Sequence, residues 1–256
     1  MLRRLFARIA CLVLPALITL PVMAAINYQD MWWNPDESGW GVNVAQQGNT
    51  MFATWFIYGA NSQPLWLVMS NAQRSGAAGN TFVGDLYQTT GTAFNVTPFV
   101  PLQASNVTKV GTATFVFADA RTGTLTYTVN GAQVNKPITR QPLENINLTG
   151  TYYGGIFRTA VCANSGVGNS IFSIEHTPAT RAVRMAEVGG NLCLFTGTLT
   201  QYGSIFEGSG AYQCQGENGN WTGSEGAGGE STFSIKLSLQ TGAGTCIATF
   251  GGFKSP

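Results

Sequence analysis

The stretch Gly39-Trp40-Gly41-Val42-Asn43-Val44-Ala45-Gln46-Gln47-Gly48-Asn49-Thr50-Met51-Phe52-Ala53-Thr54-Trp55-Phe56-Ile57-Tyr58 decides the fold. Apolar, aromatic and β-branched residues recur on both sides of Gly48-Asn49, and such a pair between two alternating runs is a two-residue hairpin signal. With the turn centred there, Trp40 faces Ile57, Val42 faces Trp55 and Val44 faces Ala53. No segment here carries a 3.6-residue apolar period, so the reading is antiparallel β.

On the C-terminal side, a turn through Gly59-Ala60-Asn61-Ser62 sets Ile57 beside Trp66 and Trp55 beside Val68. One sheet face then reads Trp40, Val42, Val44, Ala53, Trp55, Ile57, Trp66 and Val68, which is a core face. The other carries Phe52, Phe56, Tyr58, Leu65, Leu67 and Met69. With both faces apolar, the sheet either packs against a second layer or presents one face to a partner. Further strands are expected from Thr81 to Gln88, Lys109 to Ala118, Gly123 to Val129 and Gln133 to Arg140, the last two joined by Asn130-Gly131, the strongest hairpin dipeptide of the chain. Pro98 and Pro101 mark residues 91–105 as a surface connection. About seven strands make this half a meander, rolled into a barrel or folded into a sandwich.

On the N-terminal side, Arg3, Arg4 and Arg8 precede an apolar run from Ile9 to Val22 that ends in the small residues Ala24 and Ala25. This is the pattern of a secretory signal peptide over residues 1–25, and its core is shorter than the roughly 20 residues that span a bilayer. Export to the periplasm or the cell exterior is expected, with no transmembrane segment after the leader is removed. The processed chain would carry ten basic and twelve acidic residues, net charge −2. Without a basic footprint, nucleic acid is not an expected partner.

The four cysteines beyond the leader, Cys162, Cys193, Cys214 and Cys246, all lie in the second half. An even set confined to one half of an exported chain reads as two disulfides in one domain, giving domains at 26–143 and 144–256. From Gly150 onward about eight alternating segments follow with short glycine-rich turns, and an eight-stranded barrel is their simplest closure because it leaves no free edge. A hairpin centred on Tyr202-Gly203 sets Cys193 opposite Cys214, leaving Cys162 for Cys246. Spacing alone leaves two other connectivities open.

Little in the chain points to catalysis. His176 is the only histidine, and no cysteine, histidine or carboxylate stands at ligand spacing from it, so neither a metal nor another cofactor is expected. It reads as a structural or solvent-facing side chain. Asp36-Glu37 are adjacent acids, and a carboxylate pair of this kind is the alternative reading, a secreted hydrolase. Adjacent residues in a turn point apart, however, and Asn34-Pro35-Asp36 is turn chemistry. Tryptophans among amides and acids also suit a ligand platform, which makes Trp32, Trp33, Asn34, Asp36 and Glu37 the candidate binding residues. The expected occupant is a small molecule, a glycan or an envelope protein.

The run from Trp32 to Gly41, Trp-Trp-Asn-Pro-Asp-Glu-Ser-Gly-Trp-Gly, continued by Gln46-Gln47-Gly48-Asn49 and by Phe52 to Phe56, resembles the opening of a module found in exported proteobacterial β-rich proteins of unknown function. That resemblance implies a bacterial exported protein and brings no catalytic residues. Gly150-Thr151-Tyr152 and the strand count give the second half a looser likeness to lipocalin-type and avidin-type barrels, a likeness of architecture. The expected protein is therefore all-β, non-enzymatic and two-domained, binding through the aromatic surface of its first domain. An outer-membrane barrel is disfavoured because no apolar-out alternation is sustained.

Overall fold

The computed structural model describes residues 26–255 apart from 77, 163, 190, 191 and 215. The expected leader, residues 1–25, lies outside the described residues. The strands form two closed antiparallel barrels. The first contains β1 (Asp30–Trp33), β2 (Gly41–Gln47), β3 (Thr50–Tyr58), β4 (Pro64–Ser75), β5 (Thr81–Thr89), β6 (Val107–Phe117), β7 (Thr122–Val129) and β8 (Ala132–Arg140). The second contains β9 (Gly150–Arg158), β10 (Gly166–Thr177), β11 (Ala182–Val188), β12 (Leu194–Tyr202), β13 (Ile205–Cys214), β14 (Glu217–Gly228), β15 (Thr232–Thr241) and β16 (Gly244–Lys254). Each barrel is a meander, closed by β1 on β8 and by β16 on β9.

Eight strands enclose a lumen just wide enough for side chains, and both barrels are filled. The first packs Trp32, Trp55, Phe82, Phe115 and Phe117 against one another, with Tyr28 stacked on Phe117 at 3.8 Å between ring centroids. The second is filled by Tyr152, Phe172, Phe206, Trp221, Phe233 and Phe250. Apolar side chains point in and most polar ones point out, the reverse of a barrel solvated by lipid.

The register at the deciding hairpin is as expected, with Val42 opposite Trp55 and Val44 opposite Ala53. The following hairpin departs by one residue: Phe56, not Ile57, opposes Trp66, and Leu67 opposes Trp55. The loop is three residues long, closed by the Ser62 amide on the Gly59 carbonyl, and Ser62 takes a left-handed conformation at φ 59°. That is a type I turn followed by an αL residue, and it shifts the sum of paired residue numbers by one. Because strand side chains alternate, a one-residue shift exchanges the two faces. Leu67 and Met69 are therefore core residues, while Trp66 is 53% exposed on the outside. β1 is the eighth strand of the first barrel, four residues long and held by pairing to β2 and β8.

The second barrel follows its expected topology, and its disulfides are Cys193–Cys214 and Cys162–Cys246. Tyr202 pairs with Ile205 at the β12–β13 turn, and the same register brings Leu194 opposite Gln213, one place inside the cystine. Both disulfides staple the end of this barrel where β9 finishes and β10 begins. The opposite end holds His176, 6% exposed. Its Nδ1 accepts from the Leu148 amide at 3.4 Å and its Nε2 lies 3.4 Å from the Leu199 carbonyl. A neutral ring protonated at Nε2 satisfies both neighbours, whereas a second proton at Nδ1 would oppose the Leu148 N–H. Burial lowers the His176 pKa from its ordinary 6.5, and the Leu199 carbonyl pulls weakly the other way.

That same end meets the first barrel. Arg140, whose side chain is 1% exposed, donates through Nε to the Ala120 carbonyl, through Nη1 to the Gln29 carbonyl and Asp30 Oδ2, each at 2.9 Å, and through Nη2 to the Asn27 carbonyl at 2.6 Å. Asp30 Oδ2 then accepts from the amide and hydroxyl of Ser204 in the second barrel, at 2.8 and 2.9 Å. Arg121 lies over the Tyr202 ring at 5.2 Å and pairs with Glu207 at 3.2 Å. Between Tyr202 and Ser204, Gly203 adopts φ 57°, and a Cβ there would come within 2.3 Å of Asp30 Oδ2. Only glycine meets both the turn and the contact.

Gly203→Ala is expected to leave both barrels folded and to undock them. Small-angle scattering should show a larger radius of gyration, and residues 141–149 should become more sensitive to protease; unchanged scattering would refute the latch. A second expectation concerns pH. Because the folded His176 pKa lies below 6.5, the unfolded chain takes up a proton that the native chain does not as pH falls, so this contribution is complete above about 6.5 and is lost below it. Urea midpoints of the second barrel, read from Trp221 fluorescence, should fall between about pH 7 and 5. The slope should be shallower in His176→Gln, and equal slopes would remove His176 as the cause.

Candidate functional site

The five candidate residues at the start of the first barrel separate by role. Trp32 is a core side chain at 0% exposure, its indole N–H donating to the Tyr28 carbonyl at 2.9 Å and its ring lying beneath Arg140. Trp33, next in the strand, alternates to the outside and is partly exposed. Asn34 is buried and organises the turn: its Oδ1 accepts from the Asp36 amide at 3.1 Å and its carbonyl accepts from the Glu37 amide at 3.0 Å. Asp36 is solvent-exposed.

Glu37 anchors the turn to β8. Its Oε2 accepts from the Trp40 indole at 3.0 Å and from Lys136, whose ammonium also sits 5.6 Å from the Trp40 ring centroid. The Lys136 hydrogen bond holds the Glu37 pKa below the ordinary carboxylate range. A carboxylate ionised and held in this way serves as a structural anchor for the loop. Trp40 is partly buried, packed against the core.

The sequence reading already set Phe52, Phe56 and Tyr58 on one face, and the shift at the β3–β4 hairpin adds Trp66 to it in place of Leu67 and Met69. Phe52, Phe56 and Tyr58, with Thr54 between the first two, share the outer face of β3 and are 43%, 53% and 61% exposed. Trp66 of β4 stands directly opposite Phe56. On the other flank, Phe56 opposes Gly41, which leaves its ring without a side chain across the pair, and Trp33 follows Trp32, the partner of Val42. Trp33, Phe56 and Trp66 thus lie in one band around β1, β3 and β4. Residues 38–73 contain no Asp, Glu, Lys or Arg, so β2, β3 and nearly all of β4 carry no charge on either face. The band runs toward the end of the barrel that carries the turn at 34–40 and the connection at 90–106, where Phe94 and Phe99 are also exposed.

This end is the one remote from the second barrel, because Asp30, Arg140 and the β6–β7 turn occupy the docked end. Exposed aromatic side chains on a convex, uncharged wall have the composition of an interface core, which is depleted in charge and enriched in Trp, Tyr and Phe. Concave sites suit small ligands, and this wall is not concave.

Ion pairs also close the ends of the second barrel. Arg158 bonds both oxygens of Glu187 at 2.6 Å, and the Ser170 hydroxyl donates to the same carboxylate at 2.9 Å, closing the disulfide-bearing end of the second barrel. At the docked end, burial raises the Glu207 pKa while Arg121 draws it down. Among the described residues no three His, Cys, Asp or Glu side chains stand together to hold a metal ion, and no helix is long and apolar enough to cross a membrane.

No family model and no curated protein matches the sequence. Among solved structures, the isotype 1 transferrin binding protein B from serogroup B Neisseria meningitidis is similar to this chain over 85% of its length, with 10% identity and a TM-score of 0.34. The match covers 58% of that protein, so this chain spans less than two thirds of its length.

Proposed function

We propose that this chain is an exported binding protein whose first barrel engages a protein of the cell envelope through the band of Trp33, Phe56, Tyr58 and Trp66. The observation that carries the reading is the Phe56–Trp66 pair, half-exposed and side by side on a wall without charge. Leaving large aromatic rings in water forgoes about 1.5–3 kcal/mol of burial each, so a contiguous exposed set is a site to be covered. Both lumens are filled by core side chains, which leaves the outer surfaces for binding. The disulfides belong to an oxidising compartment and agree with the expected leader. Envelope protein is favoured over a small molecule because the band is convex and spans several strands.

Phe56→Ser with Trp66→Ser should cost about 1–2 kcal/mol, because each ring is half-buried beside its cross-strand partner, while Trp32→Ala should cost about 3–5 kcal/mol. A photo-crosslinking amino acid at position 56 or 66 in the expressing cell should give discrete protein adducts. The same group at Val167, exposed on the second barrel, should not. Equal labelling at all three positions, or none at 56 and 66, would reject the interface.

A further inference from the structure

The docked barrels enclose a second, concave feature. Between them lies a cleft of about 1000 Å³, walled on one side by the end of the first barrel and on the other by the outer faces of β13 to β16. Its volume suits a ligand of two to four rings, within the roughly 300–1,000 Å³ range of small-ligand sites. The latch at Asp30, Arg140 and Ser204, with the Arg121–Glu207 pair, holds the barrels together beside the cleft.

The chemistry of the walls is specific. Gly229 and Gly251 line the second-barrel side with room where a Cβ would stand, so a flat group can approach the backbone there, and beside them Phe253 is 71% exposed. Ile26 and Ile205 add apolar surface at the mouth. Hydrogen-bonding capacity comes from Gln29, Ser224 and Glu207, the last of which offers Arg121 one oxygen. Among the described residues of the lining, an anion finds no free cation. Arg140 is the cationic side chain in the lining, and its guanidinium is already engaged by three carbonyls and Asp30. Asp119 and Glu207 also line the cleft and share Arg121, and Glu225 holds Lys236, so these neighbouring cations are already paired with carboxylates rather than open to an anion. A long aliphatic chain would leave the amide, hydroxyl and carboxylate groups without partners. What remains is a ligand with one apolar flat face and hydroxyls around its edge.

We propose that this cleft is a binding site for an uncharged saccharide, stacked by a ring face on Phe253 and hydrogen-bonded at its edge by Gln29, Glu207 and Ser224. The site is separate from the aromatic band of the first barrel and needs both barrels docked.

Calorimetric titration of the full chain with chitotriose, cellotriose and maltotriose tests it, with trigalacturonate as the anionic control. At least one neutral trisaccharide should bind saturably, and the anion should not. Phe253→Ala should weaken binding tenfold or more with an unchanged melting temperature, since the ring is exposed. Gly203→Ala should abolish binding by opening the cleft, and Phe56→Ser with Trp66→Ser should leave it intact. The idea fails if no neutral trisaccharide binds, if trigalacturonate binds as tightly, or if Phe253→Ala is without effect. Loss of saccharide binding in the Phe56/Trp66 variant would instead place the sugar on the aromatic band.

Discussion

A guanidinium removed from water must have its donors satisfied on the spot, and Arg140 meets that requirement by tying together three parts of the molecule. It stands opposite Trp32 where β1 closes on β8, so it belongs to the seam of the first barrel. Its other contacts gather the carbonyls of Asn27 and Gln29, which keeps Tyr28 stacked on Phe117 as a plug in that end. Its charge is balanced by Asp30, and Asp30 holds Ser204 of the second barrel. Removing one partner of such a buried pair leaves an uncompensated charge and costs about 3–5 kcal/mol, more than the loss of an exposed ion pair. Barrel closure, plugging and domain docking are therefore coupled through one side chain.

Closure also dictates where function can sit. An eight-stranded barrel whose lumen is filled with Trp, Phe and Met has no interior site to offer, unlike a barrel of the same strand number that keeps a cavity. Two kinds of outer surface are left. The first barrel carries an uncharged aromatic wall far from the latch, and the second contributes a glycine-rich wall beside it. One is convex and suited to a macromolecule, the other concave and suited to a small ligand. Glu37 is held by the Lys136 ion pair, while Asp36 joins the turn at Asn34 through its backbone amide and leaves its carboxylate in solvent.

Much of this architecture is legible wherever a two-residue turn sets the register. Gly48-Asn49 leads to Val42 opposite Trp55, and the turn that sets Cys193 opposite Cys214 falls on Gly203-Ser204, one residue beyond the expected Tyr202-Gly203, with alternation propagating from each turn. At Gly59 to Gln63 the length of the loop depends on whether Ser62 enters the left-handed region, and composition does not state that. The consequence was an exchange of faces: Trp66 and Val68 for Leu67 and Met69. The four-residue β1 was illegible for a different reason, being too short to show a period and defined by pairing with residues more than a hundred positions away.

By itself the sequence determined the all-β class and the meander order, because these follow from local alternation and short turns; it favoured a closed second half and the Cys193–Cys214 pairing but left other connectivities open, and the finished barrel decided them. It grouped Trp32 and Trp33 together as candidate binding residues, because nothing local marks them as strand. Tertiary structure separated them: Trp32 is drawn in beneath Arg140, and Trp33 is left on the wall with Phe56 and Trp66. The latch and the cleft were likewise decided in three dimensions. Asp30 and Ser204 are separated by 174 residues, and contacts at that distance arise only from how two finished barrels meet.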